Sequence, residues 1–329
     1  MKVLVTGANG FLASNIIREL IRRGHQVSGL VRKTADLRPL EGLNVDLVYG
    51  DLTDSLDVQH AVKGCDRVIH AAANTSQQQV NYSSFESANV LGTMNVLDAC
   101  VRFATERLIF VSTANTLGFG SKENPGDENC KASPVFLRSF YARSKYEAQR
   151  LVLKYVADKH LDAIVVNPTF MLGPYDVKPG SGKIILMHHL KHHAFVPRGG
   201  KNFVHVGDVA AAVCNAMQHG RKGHCYLAGG ENLMYKEFLL LQAAVTRYPI
   251  HIHELPDSLV RTAGMAGSVW SGLGFSTNLN WRNARLVCIG NYYDPAKAIN
   301  ELQMPQTPVR QAIADAFTWY GSQGMLPGQ

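Results

Sequence analysis

Tyr141 and Lys145 stand four residues apart in the run YARSK, on one face of a helix predicted from about Arg138 to Lys159. A free phenol, with a pKa near 10, is a poor base at neutral pH. An ammonium one turn along favours the phenolate and lowers that value. The same lysine can reach a nicotinamide ribose. Taken alone, the pair is equally an ordinary solvated helix face. Its position favours the chemical reading: it follows an apolar strand, Leu108 to Ser112, beyond which hydroxyls stand at Ser112 and Thr113. A lone pair of titratable groups on a helix is common, whereas one placed after a strand that ends in hydroxyls suits general acid/base work.

The elements that would position this pair begin at Lys2 to Ala13, KVLVTGANGFLA. Val3, Leu4 and Val5 suit a buried parallel strand. Gly7 and Gly10 remove Cβ atoms where a strand-to-helix turn brings its backbone against a ligand, and Ala13 takes the place of the third glycine. Free N–H groups and the positive end of the helix dipole then favour a pyrophosphate; the alternative is a turn that holds nothing. The second strand, Gln26 to Val31, ends in Arg32 and Lys33 rather than an acidic residue. Two cations suit the 2′-phosphate of NADP and leave no acceptor for the NAD ribose, though an Arg-Lys pair is also an ordinary solvated surface. In GDLTD after the third strand, Asp51 and Leu52 fit an adenine, while Asp51 equally fits a cap on the next helix. Ala71, Ala72 and Ala73 follow the fourth strand and let a dinucleotide lie against the backbone. A helix from about Phe85 to Phe103 carries Asn89, Thr93 and Asn95, and such residues more often face solvent or cap a neighbour than do chemistry. Strands and helices alternate six times up to Val166, the pattern of a parallel sheet covered on both faces.

At 329 residues, with 46% hydrophobic and 18% charged, the chain fits a globular protein of one large domain with an added lobe, or of two domains. No apolar run has the length of a membrane span, and the first apolar run ends in the glycine turn, unlike a signal peptide. The net charge of +7 fits an anionic cofactor or a bland surface, with no basic stripe for nucleic acid. Six cysteines without a CxxC pair argue against a disulfide framework and for a reducing compartment, the cytoplasm. The run HHLKHH, His188 to His193, has i,i+4 histidine pairs but no further ligand, so a basic surface helix is expected and no metal. His251 and His253 are expected exposed on a strand. Pro256 to Gly290, with the apolar run MAGSVWSGLGF from Met265, reads as two or three helices with a mobile apolar flap, and Asp294 to Leu302 and Pro308 to Tyr320 as closing helices.

TGANGFLA (6–13), GDLTD (50–54), HAAA (70–73), NVLGTMNVLDAC (89–100), STANTLG (112–118), YARSK (141–145), NPTFMLGP (167–174) and NFVHVGDVAAA (202–212) together resemble the extended short-chain dehydrogenase/reductases, the group of nucleotide-sugar epimerases and dehydratases, dihydroflavonol reductases and 3β-hydroxysteroid dehydrogenases. The motifs run in the family's order over the first two-thirds of the chain. The resemblance implies an α/β fold: a Rossmann-type doubly wound sheet over residues 1–167, with 202–228 returning to it. A smaller substrate-binding lobe would come from 168–201 and 229–329. It implies Tyr141 as general acid/base, Lys145 as its electrostatic partner, Thr113 as the active-site hydroxyl with Ser112 competing, and Asn89 as a supporting residue. Cofactor contacts would come from Gly7, Asn9, Gly10, Phe11, Leu12, Arg32, Lys33, Asp51, Leu52, Ala71, Ala72, Ala73, Tyr141, Lys145, Pro168 and Thr169. The expected activity is hydride transfer between NADP(H), or else NAD(H), and a small-molecule carbonyl or secondary alcohol. A nucleotide-sugar epimerase or dehydratase with tightly held NAD is the alternative, although Lys201 and Asn202 stand where many such enzymes carry an arginine for substrate phosphates. A cofactor-binding sensor is a further alternative. A homodimer through the helices near 85–103 and 138–159 is also implied.

Overall fold

The computed structural model describes residues 1–76, 81–272, 284 and 287–326. Among these, seven strands form one parallel sheet: β1 (Lys2–Thr6), β2 (Gln26–Val31), β3 (Asp46–Tyr49), β4 (Arg67–His70), β5 (Arg107–Val111), β6 (Ala163–Pro168) and β10 (Cys225–Ala228), in the order β10-β6-β5-β4-β1-β2-β3. It is a Rossmann-type doubly wound α/β sheet, and its order reverses between β1 and β4.

Alternation along each strand feeds two separate cores. Val3 and Val5 of β1, with Ile69, Ile109 and Ile164, pack under α1 (Phe11–Arg22) and α8 (Val206–Asn215). Leu4, with Val68, Leu108, Phe110 and Val165, faces α2 (Ser55–Val62), α4 (Gly92–Arg102) and α6 (Phe140–Asp158). Both faces are therefore dry, as a parallel sheet requires. Gly24, with φ at +77°, ends α1 in the left-handed conformation.

The helix expected over 85–103 is compound. A short α3 (Tyr82–Phe85) leads through a π-helical turn at Glu86–Leu91 into α4. Asn89, Thr93 and Asn95 are all buried on it, contrary to the solvent-facing reading, because each finds a partner inside the protein. α5 (Pro134–Leu137) precedes α6.

Beyond β6 a second layer begins. β7 (Phe170–Leu172), β11 (Glu231–Met234) and β13 (Gly290–Asn291) all pair with β9 (Gly200–His205), and β8 (His193–Pro197) pairs with β12 (His251–Leu255). With α7 (Lys183–His188), α9 (Tyr235–Thr246) and α12 (Val309–Ser322) they enclose a third core around Phe203, Phe238, Ile313 and Tyr320. α10 (Asp257–Gly272) follows β12, while α11 (Ala296–Leu302) returns to pack on α8 and β10. Of the two or three helices expected over 256–290, α10 accounts for 257–272, and the part of that expectation on residues 273–283 and 285–286 lies outside the described residues.

The basic surface helix expected at HHLKHH is not found. α7 stops at His188, Leu190 takes φ +61°, and His193 already belongs to β8. His189 is buried between the rings of Tyr248 and Phe317, so apolar packing ends the helix where charge patterning suggested it continued. His251 and His253 are exposed on β12. Among the described residues no helix is long and apolar enough to cross a membrane, the six cysteines are free thiols, and no cluster of three potential ligands could hold a metal ion.

Candidate active site

Where the strand order reverses, a groove of about 1000 Å³ opens at the carboxyl ends of the strands. Gly7 holds φ at +64°, and a Cβ there would stand 2.7 Å from Ala72 Cα. Only glycine lets β1 turn into α1 this close to the residues after β4. The N-terminus of α1 has no side-chain cap, and Gly10, Phe11, Leu12 and Ala13 line the groove. Its open N–H groups and the helix dipole make an anion site, so the cradle fits a dinucleotide pyrophosphate.

Asn9, Arg32, Asp51, Leu52, Ala71, Ala72, Ala73, Pro168 and Thr169 line the same groove. Lys33 does not; it is exposed in the turn that follows β2, after the strand has ended at Val31. Asp51 Oδ1 accepts from the Thr53 N–H and hydroxyl at 2.9 and 2.8 Å, and those bonds hold its pKa below the usual carboxylate value. The cap on α2 is Asp54, which accepts from Leu56 and Asp57 N–H, so the capping role considered for Asp51 falls to a residue three positions on.

Thr113, Tyr141 and Lys145 line the groove as well. Ser112 touches it, but its hydroxyl turns into the protein and donates to Gln149 Oε1 at 2.7 Å. Thr113, by contrast, directs its side chain at the Tyr141 phenol. Burial pushes the phenol above its ordinary pKa of 10, and the Thr113 contact opposes that push only in part. Lys145 is 2% exposed. Its Nζ donates to the Val111 carbonyl at 2.7 Å and sits 4.2 Å from the centroid of the Phe110 ring, while burial takes its pKa from 10.5 down to about 7. The lowering of the tyrosine by its lysine neighbour is therefore not what the protein alone displays. Desolvation dominates, and the ammonium is partly discharged near neutrality and already committed to Val111.

Asn89 lies behind the groove wall rather than on it. Its Nδ2 donates to Ser144 Oγ at 2.9 Å and to the Asn74 carbonyl at 3.1 Å, and its Oδ1 accepts from Asn74 N–H at 2.6 Å. Ser144 Oγ in turn donates to the Tyr141 carbonyl. Asn89 thus ties the segment after Ala73 to the helix that carries Tyr141. The π-helical turn provides the place, since such turns displace side chains inward at functional sites.

Two buried polar groups were not singled out in the sequence. Gln149 Oε1 gathers the Ser112 and Thr116 hydroxyls and Asn167 Nδ2, and Asn167 Nδ2 also donates to the Thr113 carbonyl at 3.1 Å. Gln149 is four residues beyond Lys145 on the same helix face, a spacing that could have revealed it. The second group is a chain of bonds through His70. Thr93 Oγ1 donates to the Asn89 carbonyl at 2.6 Å, so it must accept from His70 Nε2 at 3.0 Å. His70 Nδ1 is then bare and accepts from Thr6 Oγ1 at 2.7 Å, which accepts from Ala72 N–H at 3.2 Å. Burial, then the nearby Lys145, pushes His70 to about 3, which keeps the imidazole neutral as this chain demands. A lone histidine ending an apolar strand was its only sequence signal.

The profile of the NAD dependent epimerase/dehydratase family matches residues 3–229, which contain every groove residue named above. The chain belongs to that family. Within it the chain is an extended short-chain dehydrogenase/reductase, as the motifs implied. A Synechocystis protein provisionally named dihydroflavonol 4-reductase is 32% identical over 99% of this chain and 96% of its own. Sterol demethylase protein B of Methylococcus capsulatus is 30% identical over 99% of this chain and 100% of its own. The crystal structure of gox2253, also 32% identical, superposes with a TM-score of 0.87 over 98% of this chain and 99% of that one. In this epimerase/dehydratase family member, the groove and the Thr113, Tyr141 and Lys145 side chains fall on one connected surface.

Proposed function

We propose that the protein is an NADP(H)-dependent reductase or dehydrogenase acting on a small or apolar carbonyl or secondary alcohol. The observation that carries this reading is the joining, in one groove, of an uncapped glycine-turn helix N-terminus to the Tyr141, Thr113 and Lys145 side chains. Arg32 on the same groove, with no ion pair or hydrogen bond among the described residues, supports NADP over NAD. The reductase name of the Synechocystis relative supports the reaction class.

The bound cofactor supplies or takes up hydride at the carbon of the carbonyl or carbinol. The Thr113 hydroxyl and the Tyr141 phenol donate hydrogen bonds to the oxygen on that carbon, where charge develops. Tyr141 then gives up its proton at Oη. Its raised pKa keeps it a neutral phenol at physiological pH, which suits the acid role and hence reduction. Lys145 would hold the nicotinamide ribose, and its proton would stabilise the phenolate that Tyr141 becomes. Asn89, through Ser144, fixes the helix turn that carries the tyrosine. The second layer around β7 and β9 would receive the substrate.

A second reading, a nucleotide-sugar epimerase with tightly held NAD, is favoured by one feature. Lys201 has no carboxylate partner among the described residues, lies 5.3 Å over the Phe170 ring, and is driven by burial to a pKa of about 8. A cation so placed would welcome a substrate phosphate. Nicotinamide fluorescence on the purified protein separates the two. Tight NADPH binding with turnover of ketones supports the reductase; a co-purified, non-exchanging NAD with interconversion of nucleotide sugars overturns it. We further propose a homodimer through the helices at 82–102 and 140–158, where Leu91, Met94, Val101 and Phe140 are exposed.

A further inference from the structure

The cofactor groove has a wall that begins where the motif NPTFMLGP ends and runs beyond it. Residues 173–180, GPYDVKPG, leave β7 and run along the groove before α7 begins. Gly173, at φ +147°, starts the loop where a Cβ would meet Val206 Cγ1 at 2.5 Å. Asn15, on the helix whose N-terminus faces the pyrophosphate cradle, donates to the Pro174 carbonyl at 3.1 Å. Arg18 of the same helix lies 3.4 Å over the centroid of the Tyr175 ring, and Tyr175 accepts φ +74°, a conformation that costs a bulky residue energy unless its surroundings impose it. Asp176, buried, accepts from Gly180 N–H at 3.1 Å, from Gly182 N–H at 3.3 Å and from the Tyr320 hydroxyl at 3.1 Å. Pro174 and Pro179 stiffen both ends. The loop is thus pinned to α1 on one side and to α12 on the other; Tyr175, Asp176, Val177, Lys178 and Gly180 line the groove, and Lys178 is the loop's exposed cation there.

Lys178 is exposed, lines the groove, and has no ion pair or hydrogen bond among the described residues. Arg32 faces the same groove from the end of β2 and, among the described residues, has no ion pair or hydrogen bond, although its charge helps to lower the pKa of Asp51 beside it. The remaining charges at that end are already neutralised or engaged. Arg38 is engaged by Asp36, whose carboxylate it grips at 2.7 Å, while Asp51 accepts from Thr53 and stays anionic, with Arg32 as its cationic neighbour. Lys178, Arg32 and Asp36 line one groove, and the lysine adds a small share to the lowering of the Asp36 pKa, after the larger hold of Arg38.

Resting on the NADP reading above, we propose that Lys178 and Arg32 form a two-sided cationic clamp for the 2′-phosphate. The second cation then comes from a loop well over a hundred residues downstream instead of from Lys33. Each cation would neutralise part of the dianion across a partly screened gap, so removing either weakens NADPH selectively.

The test is fluorescence titration of NADPH and NADH against the unaltered protein and against Lys178→Met, Arg32→Met and Lys33→Met, at low and high salt. The clamp predicts that Lys178→Met weakens NADPH about tenfold at low salt, less at high salt, and leaves NADH unchanged. Lys33→Met should weaken NADPH less than Lys178→Met does. An unaltered protein that prefers NADH sinks the NADP reading itself. If that preference is for NADPH, three results overturn the clamp alone: no change in Lys178→Met, a larger loss in Lys33→Met, or an equal loss of NADPH and NADH in Lys178→Met, which would assign the lysine to the pyrophosphate.

Discussion

Exchanging the two adjacent hydroxyls, Ser112 and Thr113, one at a time should separate stability from turnover. The Ser112 hydroxyl supplies one of three donors that reach Gln149 Oε1, the others being Thr116 at 2.9 Å and Asn167 at 2.8 Å. Ser112→Ala removes one neutral bond and leaves that oxygen still satisfied, so the cost is about 1 kcal/mol, or roughly 2–4 °C in Tm. Turnover should stay within about threefold, since nothing that touches substrate is lost. Thr113→Val keeps the shape of the side chain. Among the described residues its hydroxyl has one other bond, a long one from Asn115 N–H at 3.3 Å, so stability should fall by less than about 1 kcal/mol. Turnover, however, loses a donor aimed at the reacting oxygen, a loss on the order of 10²–10³ in kcat. Thr113→Ser, which restores the hydroxyl, should recover most of it. Thermal melts beside kcat and KM for ketone reduction with NADPH measure both. A Ser112→Ala protein as inactive as Thr113→Val, or a Thr113→Val protein of normal turnover, would show that the hydroxyls have been assigned the wrong way round.

Lys145 should leave a signature in the pH dependence of stability. Its folded pKa, about 7, lies below the ordinary 10.5, so between those values the unfolded chain binds more protons and native stability rises with pH. The penalty is complete below about pH 7 and gone near pH 10.5. Lys145→Met should therefore be most favoured relative to the parent at pH 6, and that advantage should shrink in melts at pH 8 and pH 10; a constant difference would contradict it. Gly7→Ala forces a left-handed alanine against Ala72, so NADPH affinity should drop more than about tenfold, read by nicotinamide fluorescence. Normal affinity would mean that the turn has another use.

Much of this site was legible because its chemistry is local in sequence. The glycine turn, the small residues after β4 and the Tyr141–Lys145 pair are each contained in a few residues. The resemblance favoured Thr113 over Ser112, but only the partner of Ser112, Gln149, shows why its neighbour is free to face the groove. What could not be read are contacts between distant segments. Lys178 reaches the groove because Asn15 and Arg18 hold its loop. His70 becomes a link because Thr6 and Thr93 lie on either side of its ring. Burial was the other gap. The spacing of Lys145 and Tyr141 says nothing about how far both are taken from water, and that desolvation reverses the expected direction of the tyrosine's pKa. The histidines of HHLKHH misled for the same reason, since charge pattern alone does not foretell that Tyr248 and Phe317 enclose His189.

The account rests on hydride passing beside Tyr141, and isotope transfer tests that most directly. With NADPH carrying deuterium on one or the other face of the nicotinamide C4, and a ketone that the protein reduces, one labelled form should deliver its deuterium to the carbinol carbon. Tyr141→Phe should still bind NADPH while slowing the transfer by on the order of 10²-fold or more. Product formed without deuterium from either form, or transfer by Tyr141→Phe at the parent rate, would contradict it.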